Sequence, residues 1–354
     1  MVDLQEGLEK RPVFVTGADG FIGSHLVDTL VEHDADVHAF VRATSSGELR
    51  NIRHWGDEVT IHRGDLRDKH SVEQSLAPLQ EHSDGLIFHL AAQAHVGESW
   101  ERPYDTIDTN VKGTLNLLQS IVDLDLEIDK IDTAGTSEEY GNIKREMEGK
   151  HDFEDDGRIL LSERSPVNPK SVYATSKLAA DFLTMNYHDA YGIPGVTTRM
   201  FNNYGPRQNP RYITGTIITQ ALEREVVELG NLTPKRDMCY AGDGVRGHLH
   251  VALGGDSGEQ YVYGYGENVS MREWTEMILN IGSEEGHWDD PEIVQREDRY
   301  RPGDSDVEEL RVGYEKLHEE TGWEPQVSWE GGIRRTVEWY ANNRTRWYDR
   351  VDWR

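Results

Sequence analysis

The chain has 354 residues, in which 37 Lys and Arg stand against 65 Asp and Glu, a formal charge of −28 with a pI near 4.9. That charge repels a nucleic-acid backbone, which excludes DNA and RNA as partners, while the length is enough for a large core in two lobes. No run reaches the roughly 18 apolar residues of a membrane span, the start Met1-Val2-Asp3-Leu4-Gln5-Glu6 lacks leader character, and Cys239 is the single cysteine; a cytoplasmic protein without membrane anchor or internal disulfide is expected. The acids are spread along the chain and the cations are mostly Arg, which looks like the surface of a protein from a salt-accumulating halophile, in which molar salt screens the self-repulsion; an acidic mesophilic enzyme is the other reading.

In chain order, residues 13–16, 37–41, 59–62, 86–90, 128–133 and 196–201 read as strands. Segments 24–32, 104–122 and 172–191 have helical periodicity. This alternation predicts an α/β fold, a Rossmann-like doubly wound parallel sheet. After Gly205-Pro206 the regularity weakens, with helices at 271–281 and 331–342. The expected division is a dinucleotide-binding domain over 1–200, to which a segment around 235–260 returns, and a smaller α/β substrate lobe over 201–354. The acidic stretch 144–163 reads as a surface loop.

The first strand runs into Thr16-Gly17-Ala18-Asp19-Gly20-Phe21-Ile22-Gly23. Gly17 permits a tight turn, Gly20 lets the backbone amides of Phe21 and Ile22 approach a pyrophosphate, and Gly23 permits close helix–sheet packing. The second strand ends at Arg42, followed by Ser45 and Ser46, where a reader of the NAD ribose would be Asp or Glu. Arg42 there favours NADP over NAD by pairing with a 2′-phosphate; stacking on adenine or facing solvent is the other reading. Tyr173 and Lys177 lie four apart on one helix face, so the ammonium can lower the phenol pKa and the phenolate can accept a proton from a hydroxyl. The histidines, including His248 and His250, show no metal-ligand spacing, and no metal is expected.

With these motifs in this order, the chain resembles the extended short-chain dehydrogenase/reductase (NAD-dependent epimerase/dehydratase) family over nearly its whole length. The resemblance rests on residues 16–23, Gly64-Asp65-Leu66-Arg67-Asp68, His89-Leu90-Ala91-Ala92-Gln93-Ala94-His95-Val96, Asn110-Val111-Lys112-Gly113-Thr114, Thr136-Ser137-Glu138 before Tyr140-Gly141, Tyr173-Ala174-Thr175-Ser176-Lys177 and Arg199-Met200-Phe201-Asn202-Asn203-Tyr204-Gly205-Pro206-Arg207-Gln208. Thr233-Pro234-Lys235-Arg236-Asp237 and Gly322-Trp323-Glu324-Pro325 look like members acting on nucleoside-diphosphate sugars; Tyr240-Ala241-Gly242-Asp243 departs from the commoner pattern. The resemblance implies tightly held NAD or NADP, contacted by Asp65, Leu66, Ala91, Ala92, Gln93, Asn110, Tyr173 and Lys177. It also implies a homodimer joined through 104–122 and 172–191 as a four-helix bundle.

Within the family, Glu in the Thr136-Ser137-Glu138 position is typical of nucleoside-diphosphate-sugar 4,6-dehydratases and of UDP-glucuronate decarboxylases, and simple 4-epimerases usually lack it. The chemical reason is that oxidation at carbon 4 acidifies the proton on carbon 5, which Glu138 can remove as water leaves carbon 6. Thr136, Glu138, Tyr173 and Lys177 are therefore the expected catalytic residues, with a 4-epimerase as the nearest alternative, a decarboxylase third and a silent sugar-nucleotide-binding protein as the reading from another class. Ser137, Asn202, Asn203, Arg207, Arg236 and Arg301 are the candidate substrate contacts, the arginines as phosphate clamps. Glu139, next to Glu138, reads as an exposed acid.

Overall fold

The computed structural model describes residues 2–143, 149, 152–153, 159–300 and 308–351. Seven parallel strands form the main sheet: β1 Pro12–Thr16, β2 Asp36–Arg42, β3 Val59–Gly64, β4 Gly85–His89, β5 Ile128–Ala134, β6 Gly195–Met200 and, late in the chain, Gln260–Tyr263. With β7 Asn202–Tyr204, β8 Val226–Leu229 and β9 Lys235–Tyr240 intervening, that late strand is β10, and the spatial order is β10-β6-β5-β4-β1-β2-β3. β1 and β4 are buried at every position, as parallel strands covered on both faces must be. The sheet grows in opposite directions from β1, so the crevice at the carboxyl ends of β1 and β4 is the topological switch point where such sheets bind ligands.

Helices cover both faces. α1 Phe21–Glu32 places Leu26, Val27 and Leu30 in a cluster with β1 and β2. α2 Lys69–Leu76 and α3 Gly113–Asp123 pack over the opposite side with Phe14, Ile87 and Ile131. The 20-residue α4 Val172–Tyr191 starts at Ser171, whose hydroxyl accepts the Ala174 amide, and stops at Gly192 in the left-handed conformation, a cap at each end that fixes its register.

Residues 104–122 are not one helix. Pro103–Ile107 is a short helix, Asp108–Lys112 a π-helical turn, and α3 begins only at Gly113. The wider turn presents Asn110 inward, where its amide donates to the Gln93 carbonyl (3.1 Å) and the Ser176 hydroxyl (2.8 Å) and its oxygen accepts the Gln93 amide (2.8 Å). Periodicity alone cannot register one inserted residue of this kind.

The second core forms around Trp274, Tyr204, Ile218 and Tyr340, from α5 Ile213–Glu223, α7 Met271–Glu284 and α8 Trp329–Asn342. It carries a three-stranded sheet of β7, β9 and β11 Asn268–Ser270, and a pair of β8 with β12 Glu292–Gln295. α6 Ala241–Gly254 and β10 go back to the first core: Val245, Leu249 and Ala252 pack with α1, and β10 edges the main sheet beside β6. Most of 144–158 lies outside the described residues, but 159–163 is not a surface loop. Ile159 and Leu161 are buried with Tyr140 and Phe201, and Glu163 accepts the Val262 amide; apolar side chains in that stretch anchor it.

Candidate active site

The glycine turn is built as close approach requires. Gly17 has φ +71°, and a Cβ there would lie 2.9 Å from the Ala91 amide nitrogen. At Gly23 a Cβ would lie 2.2 Å from the Gly17 carbonyl oxygen, and at Gly20 2.9 Å from the same atom, so all three glycines serve the turn's own packing. Gly20 caps α1 without a side-chain bond and the first turn holds no acid, which leaves the amide end of the helix ready for an anion. Asp19 accepts the backbone amides of Arg50, Asn51 and Ile52 and so pins residues 50–52 against the turn. This cradle fits a dinucleotide pyrophosphate.

Arg42 ends β2 exposed, and its charge reaches Asp65. The Asp65 carboxyl is held below its ordinary value first by the Arg67 side chain, at 2.6 Å. Leu66 is buried against Gly113. Ala91, Ala92 and Gln93 leave β4 half-buried; the Ala91 amide donates to the Thr16 hydroxyl (3.1 Å), and Gln93 is tied to Asn110 as above. His89, at the end of β4, bridges the Thr16 and Thr114 hydroxyls at 2.9 Å each, and burial, then the Lys177 charge, lowers it to about 3.

Tyr173 and Lys177 lie on the inner face of α4, with Thr136, Ser137 and Glu138 on the short turn that follows β5. Burial pushes the Tyr173 phenol up, Tyr212 adds to this, the facing Thr136 hydroxyl opposes it, and Glu138 and Glu139 raise it further. A phenol lowered by its lysine is therefore not what this arrangement holds, because desolvation and nearby carboxylates dominate. Burial lowers Lys177, against the pull of Asp181, Glu139 and Asp132. Glu138 is half-buried, and its charge reaches the phenol.

Glu139 is fully buried, the reverse of the exposed acid its surroundings in sequence suggested. One of its oxygens accepts the Thr136 amide (2.9 Å) and the other the Arg199 Nε (2.5 Å), which also reaches Asp181 (3.2 Å). A partnered carboxylate can be buried where a lone one cannot. Asp181 is four residues beyond Lys177 and eight beyond Tyr173 on one helix face, a spacing through which sequence reasoning could have found it; Arg199 on β6 carried no such signal.

At the substrate end, Asn202 and Asn203 begin β7, each with a buried Oδ1 lacking a hydrogen-bond donor. The Asn203 amide donates to the Phe201 carbonyl (2.9 Å). Arg207 turns to Asp28 on α1 (2.7 Å). Arg236 is buried on β9, where its guanidinium reaches the Lys235 carbonyl, and Ser137 is buried beside Thr136. Arg301 lies outside the described residues. Tyr212, which sequence reasoning passed over, caps the start of α5 and donates its hydroxyl proton to the Ala94 carbonyl (3.1 Å), linking the second lobe to the segment after β4. His248 is a core residue paired with Asp132 at 2.6 Å. Among the described residues no three His, Cys, Asp or Glu side chains cluster as a metal would require.

A doubly wound sheet with this glycine cradle, and a Tyr-x-x-x-Lys helix facing a Thr-Ser-Glu turn, defines an extended short-chain dehydrogenase/reductase. The chain belongs to the GDP-mannose 4,6 dehydratase family, whose model matches residues 14–336, and it is an enzyme of the sugar-nucleotide dehydratase kind. It is 30% identical to dTDP-glucose 4,6-dehydratase 1 of Escherichia coli, over 96% of this chain and 95% of that protein. It is 31% identical to the low-salt glycan biosynthesis protein Agl12 of Haloferax volcanii, over 94% and 99%. The crystal structure of DesIV, a dTDP-glucose 4,6-dehydratase from Streptomyces venezuelae with NAD and TYD bound, superposes with a TM-score of 0.83 at 30% identity, over 96% of this chain and all of that one.

Proposed function

We propose that this enzyme converts a nucleoside-diphosphate hexose to its 4-keto-6-deoxy product. The observation that carries this reading is that Glu138 stands, half-buried, on the turn capped by Thr136 that faces the Tyr173 helix, where its charge acts on the phenol. A nicotinamide dinucleotide would be held by the 17–23 cradle with Arg42, Asp65, Leu66, Ala91, Ala92, Gln93 and Lys177, and would supply the acceptor for the carbon 4 hydride and the donor of that hydride to carbon 6. In its ionised form, which the Thr136 hydroxyl favours against burial, Tyr173 takes the proton of the sugar 4-hydroxyl. Glu138 removes the proton from carbon 5, which the 4-ketone has made acidic, and the carbon 6 hydroxyl leaves as water; carbon 5 then takes back a proton, exchanged with solvent, as hydride returns to carbon 6. Buried Ser137 lines this point, and Glu138 or a water protonates the leaving group. Asn202 or Asn203 holds the diphosphate with Arg236, Arg301 and Arg207, the last released from Asp28.

The test is incubation with UDP-, dTDP-, GDP- and CDP-hexoses in deuterated water at molar salt, with products read by mass and NMR. Loss of one water with deuterium on carbon 5 is the expected result. An inverted carbon 4 with unchanged mass and no deuterium means a 4-epimerase and removes Glu138 from the mechanism.

Arg42 supports NADP as the preferred dinucleotide; equal affinity of the Arg42→Ala variant for NADP would refute this. Homodimerisation is supported by Tyr104 (85% exposed), Phe182 (55%) and Tyr191 (58%), large apolar side chains on the short Pro103–Ile107 helix and α4. A cytoplasmic setting is supported by the one cysteine, buried Cys239, and among the described residues no helix is long and apolar enough to cross a membrane.

A further inference from the structure

Beneath Tyr173 lies a charge cluster in which Lys177 alone takes part in the proposed reaction. Glu139 comes from the turn after β5, Asp181 and Lys177 from α4, and Arg199 from β6. All four are buried, none more than 4% exposed. Glu139 and Asp181 converge over Gly135, where a Cβ would lie 2.9 Å from Glu139 Oε1 and 3.0 Å from Asp181 Oδ1; only a glycine leaves room for both. Arg199 Nε bridges the two carboxyl groups, at 2.5 and 3.2 Å, and its guanidinium stands 5.1 Å from the centre of the Tyr140 ring. Gln260 from β10 donates to Asp181 Oδ2 at 3.1 Å, while Asp181 Oδ1 is buried without a donor.

We infer that Glu139 is a positioning residue: through Arg199 and Asp181 it ties the Thr136-Ser137-Glu138 turn to the Lys177 face of α4 and sets the charge balance beneath Tyr173. The inference rests on the reading of Tyr173 and Lys177 as the proton-transfer pair. The tie is direct, since one Glu139 oxygen accepts the Thr136 amide and the other faces the bridge to α4. Burial raises both carboxyl groups, with Arg199 pulling each down. The groups facing Glu139 are Tyr140 on its own turn, Tyr173, Lys177 and Asp181 on α4, and Arg199 on β6; Glu138 acts on Tyr173 and Asp132 on β5 acts on Lys177. Glu139 raises both Tyr173 and Lys177, so its charge acts on both members of the pair.

Glu139→Gln keeps the shape and removes the charge. The Tyr173 phenol is followed by NMR in protein carrying carbon-13-labelled tyrosine, with Tyr173→Phe to assign its signal, and it is expected to titrate at lower pH in Glu139→Gln than in the parent. Turnover is expected to lose about 10²-fold in kcat with KM within about twofold, the rising limb of the pH profile moving to lower pH, and Glu139→Asp recovering part of the rate. An unmoved Tyr173 titration overturns the inference, and so does a rate loss carried by KM alone. A moved titration in a chain that turns over no nucleoside-diphosphate hexose supports the inference and refutes the proposed function. If Glu139→Gln does not fold, Asp181→Asn carries the same test through Lys177, whose labelled amine is expected to titrate lower; an unchanged amine overturns the inference.

Discussion

Glu138 and His89 mark the two ends of what one side chain decides here. Replacing Glu138 by Gln leaves Thr136, Tyr173 and Lys177 in place but removes the base for carbon 5. The variant is expected to oxidise carbon 4 and stop there, with product formation down about 10²–10⁴-fold and reduced nicotinamide accumulating in a single-turnover absorbance trace; product at the parental rate would assign the base elsewhere. His89 acts on stability. It is neutral in the fold, with its pKa lowered from 6.5 to about 3 by burial and by Lys177. Between those values the unfolded chain binds the proton and the fold does not, so the contribution is full above pH 6.5 and is lost as pH falls towards 3. At about 1.4 kcal/mol per pH unit, the loss is on the order of 5 kcal/mol at most. His89→Asn is expected to flatten denaturant-derived stability between pH 6.5 and 4 relative to the parent, and parallel slopes would contradict this.

At the scale of elements, the β1 turn and α1 depend on one missing methyl group. The Cβ of Gly23→Ala would meet the Gly17 carbonyl oxygen, a backbone atom of the turn, at 2.2 Å, so relief requires moving the turn itself. The expected cost is about 1–3 kcal/mol together with weaker dinucleotide binding, measured by thermal melting and by titration with NAD and NADP; parental affinity would show that the turn tolerates the shift. These elements were legible because their signals are local. Glycine spacing after an apolar run, and Tyr and Lys four apart in a helical pattern, are fixed by backbone geometry, and six of the seven strands of the main sheet lie on the short apolar runs read as strands. What was not legible depended on partners. β10 is short, lies far along the chain and is recruited by β6; the π-turn at Asn110 exists for its bonds to Gln93 and Ser176; and Glu139 is indistinguishable from a surface acid until Arg199 is known to face it.

For the whole molecule, the charge of −28 predicts a salt-dependent fold. Removing salt lengthens the screening distance from about 3 Å at 1 M to about 10 Å at 0.1 M, which exposes the self-repulsion of the acids. The melting temperature is therefore expected to rise steadily from 0.1 M to molar KCl, whereas a flat or falling curve would mark an ordinary acidic protein. Composition, the order of the motifs and the Thr-Ser-Glu turn determined the class of fold, the cofactor cradle and the kind of chemistry, because each is written in contiguous residues whose spacing the backbone converts directly into geometry. Only the tertiary structure decided which acids are buried and paired, which strand closes the sheet and how the phenol of Tyr173 is tuned. Those properties arise from desolvation and from contacts between residues tens of positions apart, and no local pattern encodes them.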